Sequence, residues 1–196
     1  MSEGMPGRTV VVEPIGEYAT IDTALARDAV AGLLDADPEV RRRVAELVQL
    51  EPERAAPPVL YALSEVLLDR GRPADAAFWF TAGQVRARFD ARRCTDPTAA
   101  AAVDALNERF GGPVHRVACT DPERLRRTVI RAVAWDRRTP HDYDHRWIAL
   151  HGMRAHLGAD GPLSVPAKDW DALAARTRAE YLTALRTALR TAVHRR

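Results

Sequence analysis

The stretch 58–90, PVLYALSEVLLDRGRPADAAFWFTAGQVRARFD, constrains the fold more than any other part of the chain. Pro58 opens a run in which Leu60, Leu63, Leu67 and Leu68 form one stripe at helical spacing. Gly71 stands where a left-handed residue closes a helix, and Pro73 restarts the chain at the first turn of the next one. In that second run Ala77, Thr81, Gln84, Val85 and Phe89 recur at helical spacing, while Phe78, Trp79 and Phe80 are consecutive. A helix with large apolar side chains on more than one side needs neighbours on more than one side. The stretch therefore predicts an antiparallel helix pair whose second member is buried.

The rest of the chain supplies the neighbours. Ile21, Leu25, Ala29 and Leu33 share one face of a first helix, which Thr20 or Asp22 can cap. Asp37-Pro38 is a cap followed by proline at the first helical position, and Val40, Val44, Leu47 and Val48 follow as its apolar side. Thr95-Asp96-Pro97 opens another helix with Val103, Leu106 and Phe110, expected to stop at Gly111-Gly112-Pro113. Thr120-Asp121-Pro122 repeats the opening and directs Leu125, Val129, Ile130 and Val133 to the core. Asp144 can cap a shorter helix carrying Trp147, Ile148 and Met153 and ended by Gly158. Trp170, Leu173, Thr177, Tyr181, Leu185 and Leu189 pattern a long last helix. Thr9 to Val12 is β-branched, but no second strand run exists to pair with it, so it reads as extended chain lying on the helices. The expected architecture is an all-α, single-domain bundle of about eight helices in antiparallel pairs. A flexible or extended segment over 1–19 precedes a helical domain over 20–196.

Charge and cysteine usage exclude some functions. The net charge of +2 lacks the concentrated basic excess of a dedicated nucleic-acid binder. The basic residues are nearly all arginine, with Lys168 the only lysine. Cys94 and Cys119 make neither a metal framework nor a disulfide scaffold, and read as buried thiols. No signal-peptide pattern opens the chain and no apolar run suits a membrane span, so a soluble cytoplasmic protein is expected.

Leu60, Leu67, Gly71, Ala76 and Trp79 resemble one helix-turn-helix unit of the tetratricopeptide or Sel1-like type. The resemblance covers about a sixth of the chain and no second copy follows at that family's period of about 34 residues. It implies an antiparallel helix pair in which Ala76 permits close approach and Trp79 fills the gap. The blocks WFTAGQVRARFD and AWDRRTPHDYDHRW resemble signature blocks of a small bacterial family of helical proteins, and imply no particular activity.

Three groups of residues carry candidate chemistry. His141, Asp142, Asp144 and His145 have side chains of the kinds that bind zinc or a similar ion. The alternative is a polar turn in which an Asp caps the next helix. Arg86, Arg88, Arg92 and Arg93 follow the aromatic run, and Arg124, Arg127, Arg131 and Arg138 make a second stripe. Either can meet a phosphate or the acidic surface of a partner, or simply solvate a helix face. Trp79 joins Arg86, Arg88, Arg92, Arg93, Arg127 and Arg131 as a candidate binding residue. Gln84 and Asp90 sit beside the core face, where a buried amide satisfies a helix crossing, and Asp136 and Asp144 are a conceivable acid–base pair. No nucleophile elbow, phosphate loop or dinucleotide fingerprint appears, so no cofactor is expected. The reading that results is a non-catalytic module that binds a protein partner, adaptor- or immunity-like. A metal-dependent enzyme at 141–145 and a phosphate or nucleic-acid binder through the arginines are the alternatives, with nucleic acid disfavoured by the charge.

Overall fold

Cap and turn signals place most helix boundaries in the computed structural model, which describes residues 16–118, 120–158 and 160–194. The extended run expected at Thr9 to Val12 lies outside the described residues. The α-helices among them are α1 (Ala24–Leu33), α2 (Pro38–Leu50), α3 (Pro57–Asp69), α4 (Pro73–Arg93), α5 (Ala101–Ala118), α6 (Pro122–Arg138), α7 (Met153–Leu157) and α8 (Trp170–His194). Short 3-10 turns lie between several of them, and no strand is formed among the described residues beyond an isolated bridge between Cys94 and Ser164. The architecture is an all-α bundle. The described end of the expected extended segment is itself a 3-10 turn, Gly16–Thr20, because Tyr18 buries against Ala149 and Leu163.

The turn between α3 and α4 forms as its residues require. Gly71 has φ +68°, its N–H donates to Leu68 O at 3.0 Å, and Arg72 N–H donates to Leu67 O at 2.9 Å. These two bonds satisfy carbonyls that the end of α3 would otherwise leave unpaired. Pro73 then starts α4, where its missing N–H costs nothing. Asp37 and Asp121 cap α2 and α6 through their side chains, each followed by proline.

Helix α4 is the axis of the bundle. It packs against α3, α5, α6 and α8. Buried residues succeed one another without a break from Ala76 to Ala87. Gly83 is where Tyr61 of α3 crosses: an added Cβ would lie 3.0 Å from that ring. Leu60, Leu63 and Leu67 of α3 are wholly buried beneath α4, each contributing on the order of 1.5–3 kcal/mol. Helices α1 and α2 pack on α3, on the flank away from α6 and α8.

Three elements differ from the sequence expectation: the helix expected between Asp144 and Gly158 is a 3-10 turn, His145–His151, followed by the short α7, the one expected to open at Asp96-Pro97 begins as a 3-10 turn, Pro97–Ala100, and the end of α5 lies further on. Helix α5 does not stop at Gly111-Gly112-Pro113 but runs through Pro113 to Ala118. Proline removes one helical hydrogen bond, yet Val114 beyond it is buried with Phe110, and Gly111 lies against Phe80. Packing of that second turn holds the helix together.

Candidate functional site

The chemically capable side chains concentrate in the interior, on the face of α4 turned toward the 139–147 segment. Arg86 and Arg93, expected along an exposed edge, do share a face, but that face points inward. Arg86 is fully buried. Its Nη1 donates to Pro52 O at 3.3 Å and its Nη2 to Pro140 O at 3.0 Å and Thr139 O at 3.4 Å. Its Nε lies 3.4 Å from Asp136 Oδ1, and the guanidinium stacks 4.4 Å from the Trp135 ring centroid. Arg86 thus ties the segment after α2 and the end of α6 to the central helix. Asp90, also wholly buried, accepts from Arg93 Nη2 at 2.6 Å, from Tyr143 Oη at 3.1 Å and from Trp147 Nε1 at 2.8 Å. Burial, reinforced by the Asp90 charge, raises the Tyr143 hydroxyl well above its ordinary pKa.

Asp136 collects three cations or donors at once: Arg86, His141 through Nε2 at 3.0 Å, and Arg178 through Nε at 2.7 Å. Burial pushes its pKa up, but the hydrogen bonds and charges of His141 and Arg178 outweigh burial and leave it below the ordinary carboxylate value. The conceivable acid–base partner, Asp144, does not join it. Asp144 accepts from Arg146 N–H at 2.9 Å and from Asp22 N–H at 3.0 Å, the helix-capping role named as its alternative.

The four metal candidates face different partners. His141 bonds Asp136, and Asp142 is held through its backbone N–H to Glu53 O at 2.9 Å. Asp144 caps the 3-10 turn His145–His151, and His145 Nε2 meets Ser164 Oγ at 2.8 Å. Among the described residues no group of three or more His, Cys, Asp and Glu side chains is arranged to hold a metal ion. Burial, aided by the Arg93 charge, pushes the His145 imidazole down to about 4.

The remaining arginine candidates divide. Arg88 lies over the Tyr181 ring, and Arg92 pairs with Glu180, which Arg176 also holds. Arg131 stacks 4.4 Å over Phe78 and sits 3.8 Å from Asp75. Arg127 is exposed. Trp79, a candidate for binding, is a core residue: its ring packs edge-on against Phe78 and Trp135 at 4.9 and 5.3 Å. Gln84 satisfies a helix crossing through side chains, donating to Asn107 Oδ1 at 2.7 Å and accepting from Tyr181.

What the sequence reading missed is on the surface. Leu25 and Leu47, assigned by periodicity to the core, are 54% and 59% exposed, and Leu50 is 76% exposed. They line a groove of about 410 Å³ between α1 and α2, with Ala29, Val44 and Val48 in its floor and Asp28, Glu51 and Arg54 along its margin. A second apolar groove, of about 610 Å³, runs along the other flank of α1 against Leu106, Phe110, Trp147 and Leu150. Helix α1 therefore has open apolar surface on both sides. Leu50 gave the only sequence signal, an apolar residue outside the α2 stripe in the turn just before Glu51-Pro52. Comparison of the chain with protein-family models, with curated proteins and with solved structures finds no match.

Proposed function

We propose that the chain is a non-catalytic protein-interaction module, adaptor- or immunity-like, acting in the cytoplasm, and that it receives an amphipathic helix of a protein partner in the α1–α2 groove. The observation that carries this reading is the alignment of Leu25, Leu47 and Leu50, all more than half exposed, along one groove. Contiguous exposed leucines are unfavourable in water unless something covers them. A cleft between two antiparallel helices suits an apolar ridge spaced i, i+3, i+4. The interior supports the reading from the other side. Asp90, Asp136 and Arg86 are buried, and with Tyr143 they are held by one another, by Arg178 and by backbone carbonyls. The tetratricopeptide-like look of the α3–α4 pair agrees with a role in presenting helical surface to a partner.

The test is site-specific photocrosslinking in the native host, with the photoreactive residue at Leu47 and, as a control, at the exposed Asp171 at the start of α8. The crosslinked protein is then purified and titrated by calorimetry. A stoichiometric complex that Leu47→Glu and Leu50→Glu each weaken by about tenfold or more, roughly 1.4 kcal/mol, supports the proposal. A complex indifferent to both substitutions, or crosslinking equally strong from Asp171, refutes it.

A further inference from the structure

A third open surface lies between α6 and α8, and its chemistry differs from that of the α1–α2 groove. Ile130 was expected in the core but is 46% exposed. With Val133, Ala134 and Leu182 it lines a groove of about 480 Å³, and Arg137 and Arg138 stand at one end. The helix that forms one wall of the groove is strongly basic. Helix α6 carries Arg124, Arg126, Arg127, Arg131, Arg137 and Arg138 against two carboxylates, Glu123 and Asp136. Neither carboxylate neutralises the groove: Glu123 pairs with Arg126, and Asp136 is turned inward to Arg86, His141 and Arg178. Arg186 is exposed one turn beyond Leu182 on α8. No carboxylate among the described residues forms an ion pair with Arg127, Arg137, Arg138 or Arg186.

We infer that this groove binds an acidic amphipathic helix of a protein partner, with apolar side chains seated on Ile130, Val133 and Leu182 and carboxylates meeting the arginines at the rim. The inference rests on the reading of the chain as an interaction protein but uses a separate surface. Ile130 to Arg138 spans about 12 Å of helix, close to two turns of an incoming one. Guanidinium groups beside a carboxylate form paired, charge-assisted hydrogen bonds, and an apolar floor next to them lowers the local dielectric that would weaken those bonds. A nucleic acid fits less well. It needs stacking rings or a polar floor under its backbone, and no aromatic lines this groove. A membrane surface also fits less well, because the apolar residues line a concavity between two helices rather than the crest of one.

The test uses the full chain and a fluorescein-labelled synthetic peptide of four helical turns, with leucine at i, i+3, i+4 and i+7 and glutamate flanking them. A scrambled peptide of the same composition, a labelled single-stranded DNA and phosphatidylglycerol vesicles are the comparisons. The expected result is anisotropy binding by the amphipathic peptide at least about tenfold tighter than by the scrambled one, weakened but not abolished by salt. Ile130→Glu and the double substitution Arg137→Glu, Arg138→Glu each reduce it by about tenfold or more. Both sets lie on exposed positions, and an unchanged thermal transition shows that the fold is retained. Leu47→Glu leaves the peptide affinity unchanged, so failure here is separable from failure of the α1–α2 reading. The inference is overturned by equal binding of the scrambled peptide, by tighter binding to DNA or vesicles, by self-association that Ile130→Glu abolishes, or by no peptide binding at all.

Discussion

Replacing Arg86 with methionine tests whether the buried polar network holds the bundle together. Methionine keeps most of the side-chain volume, so little of the effect comes from a cavity. What disappears is the guanidinium that bonds Pro52, Thr139 and Pro140 carbonyls and pairs with Asp136. Removing one member of a buried pair typically costs about 3–5 kcal/mol, because the other charge stays buried. Asp136 retains His141 at 3.0 Å and Arg178 at 2.7 Å, which places this loss near the lower end, ~3 kcal/mol. The abandoned carbonyls add ~1 kcal/mol. A total of ~4 kcal/mol corresponds to a fall in Tm of roughly 8–16 °C for a chain of this size. Thermal and urea unfolding followed by circular dichroism measure it, with Arg127→Ala, an exposed arginine, expected within ~0.5 kcal/mol of the wild type. If Arg86→Met proves as stable as Arg127→Ala, the carbonyl and ion-pair contacts contribute nothing net, and apolar packing of α4 alone holds the neighbouring segments.

Three further outcomes follow from single sites. His145 has its pKa pushed down to about 4 in the fold against 6.5 when free, so the unfolded chain binds the extra proton first. Stability from this group is complete above pH 6.5 and is lost as pH falls from 6.5 toward 4. The full shift would be worth up to about 3 kcal/mol, reduced to ~1–2 by partial exposure, and His145→Gln should flatten the dependence of Tm on pH in that window. Gly152→Ala should destabilise by several kcal/mol, since its Cβ would sit 2.2 Å from Asp96 Oδ2 while that carboxylate is held by Thr98 and Arg154; urea unfolding with an unchanged m-value would show it. Gly71→Ala meets no neighbouring atom but must adopt φ +68°, which costs about 1–2 kcal/mol, and Gly71→Asn should lose less in the same urea assay.

The local grammar of the chain was largely readable. Asp37-Pro38, Asp121-Pro122 and the Gly71 to Pro73 turn sit where short-range chemistry puts them, because a cap, a proline and a left-handed glycine act on residues within one turn. The reading of α4 as a helix enclosed on several sides came from its consecutive aromatics, and it packs as they require. The Pro113 passage failed the same test: a local stop signal was overridden by burial of Val114.

The candidate site was much less legible. Charge spacing on α4 set Arg86 and Arg93 on one face, but could not say that this face meets Pro52, Thr139 and Trp147 rather than water. Those partners lie 34 to 57 residues away, and only the packed chain brings their carbonyls and ring N–H within bonding distance. Arg86, Asp90 and Arg93, spaced to share one face of a helix otherwise rich in apolar residues, were the available hint. Leu25, Leu47 and Ile130 show the reverse case. Periodicity identifies an apolar face, yet whether a neighbour covers that face depends on where the other helices stop. The sequence by itself determined that this chain forms helices, where most of them begin and turn, and which one lies at the centre. Tertiary structure alone decided which charges went inside and which leucines stayed out, because burial is a property of the assembled surface and not of any segment of it.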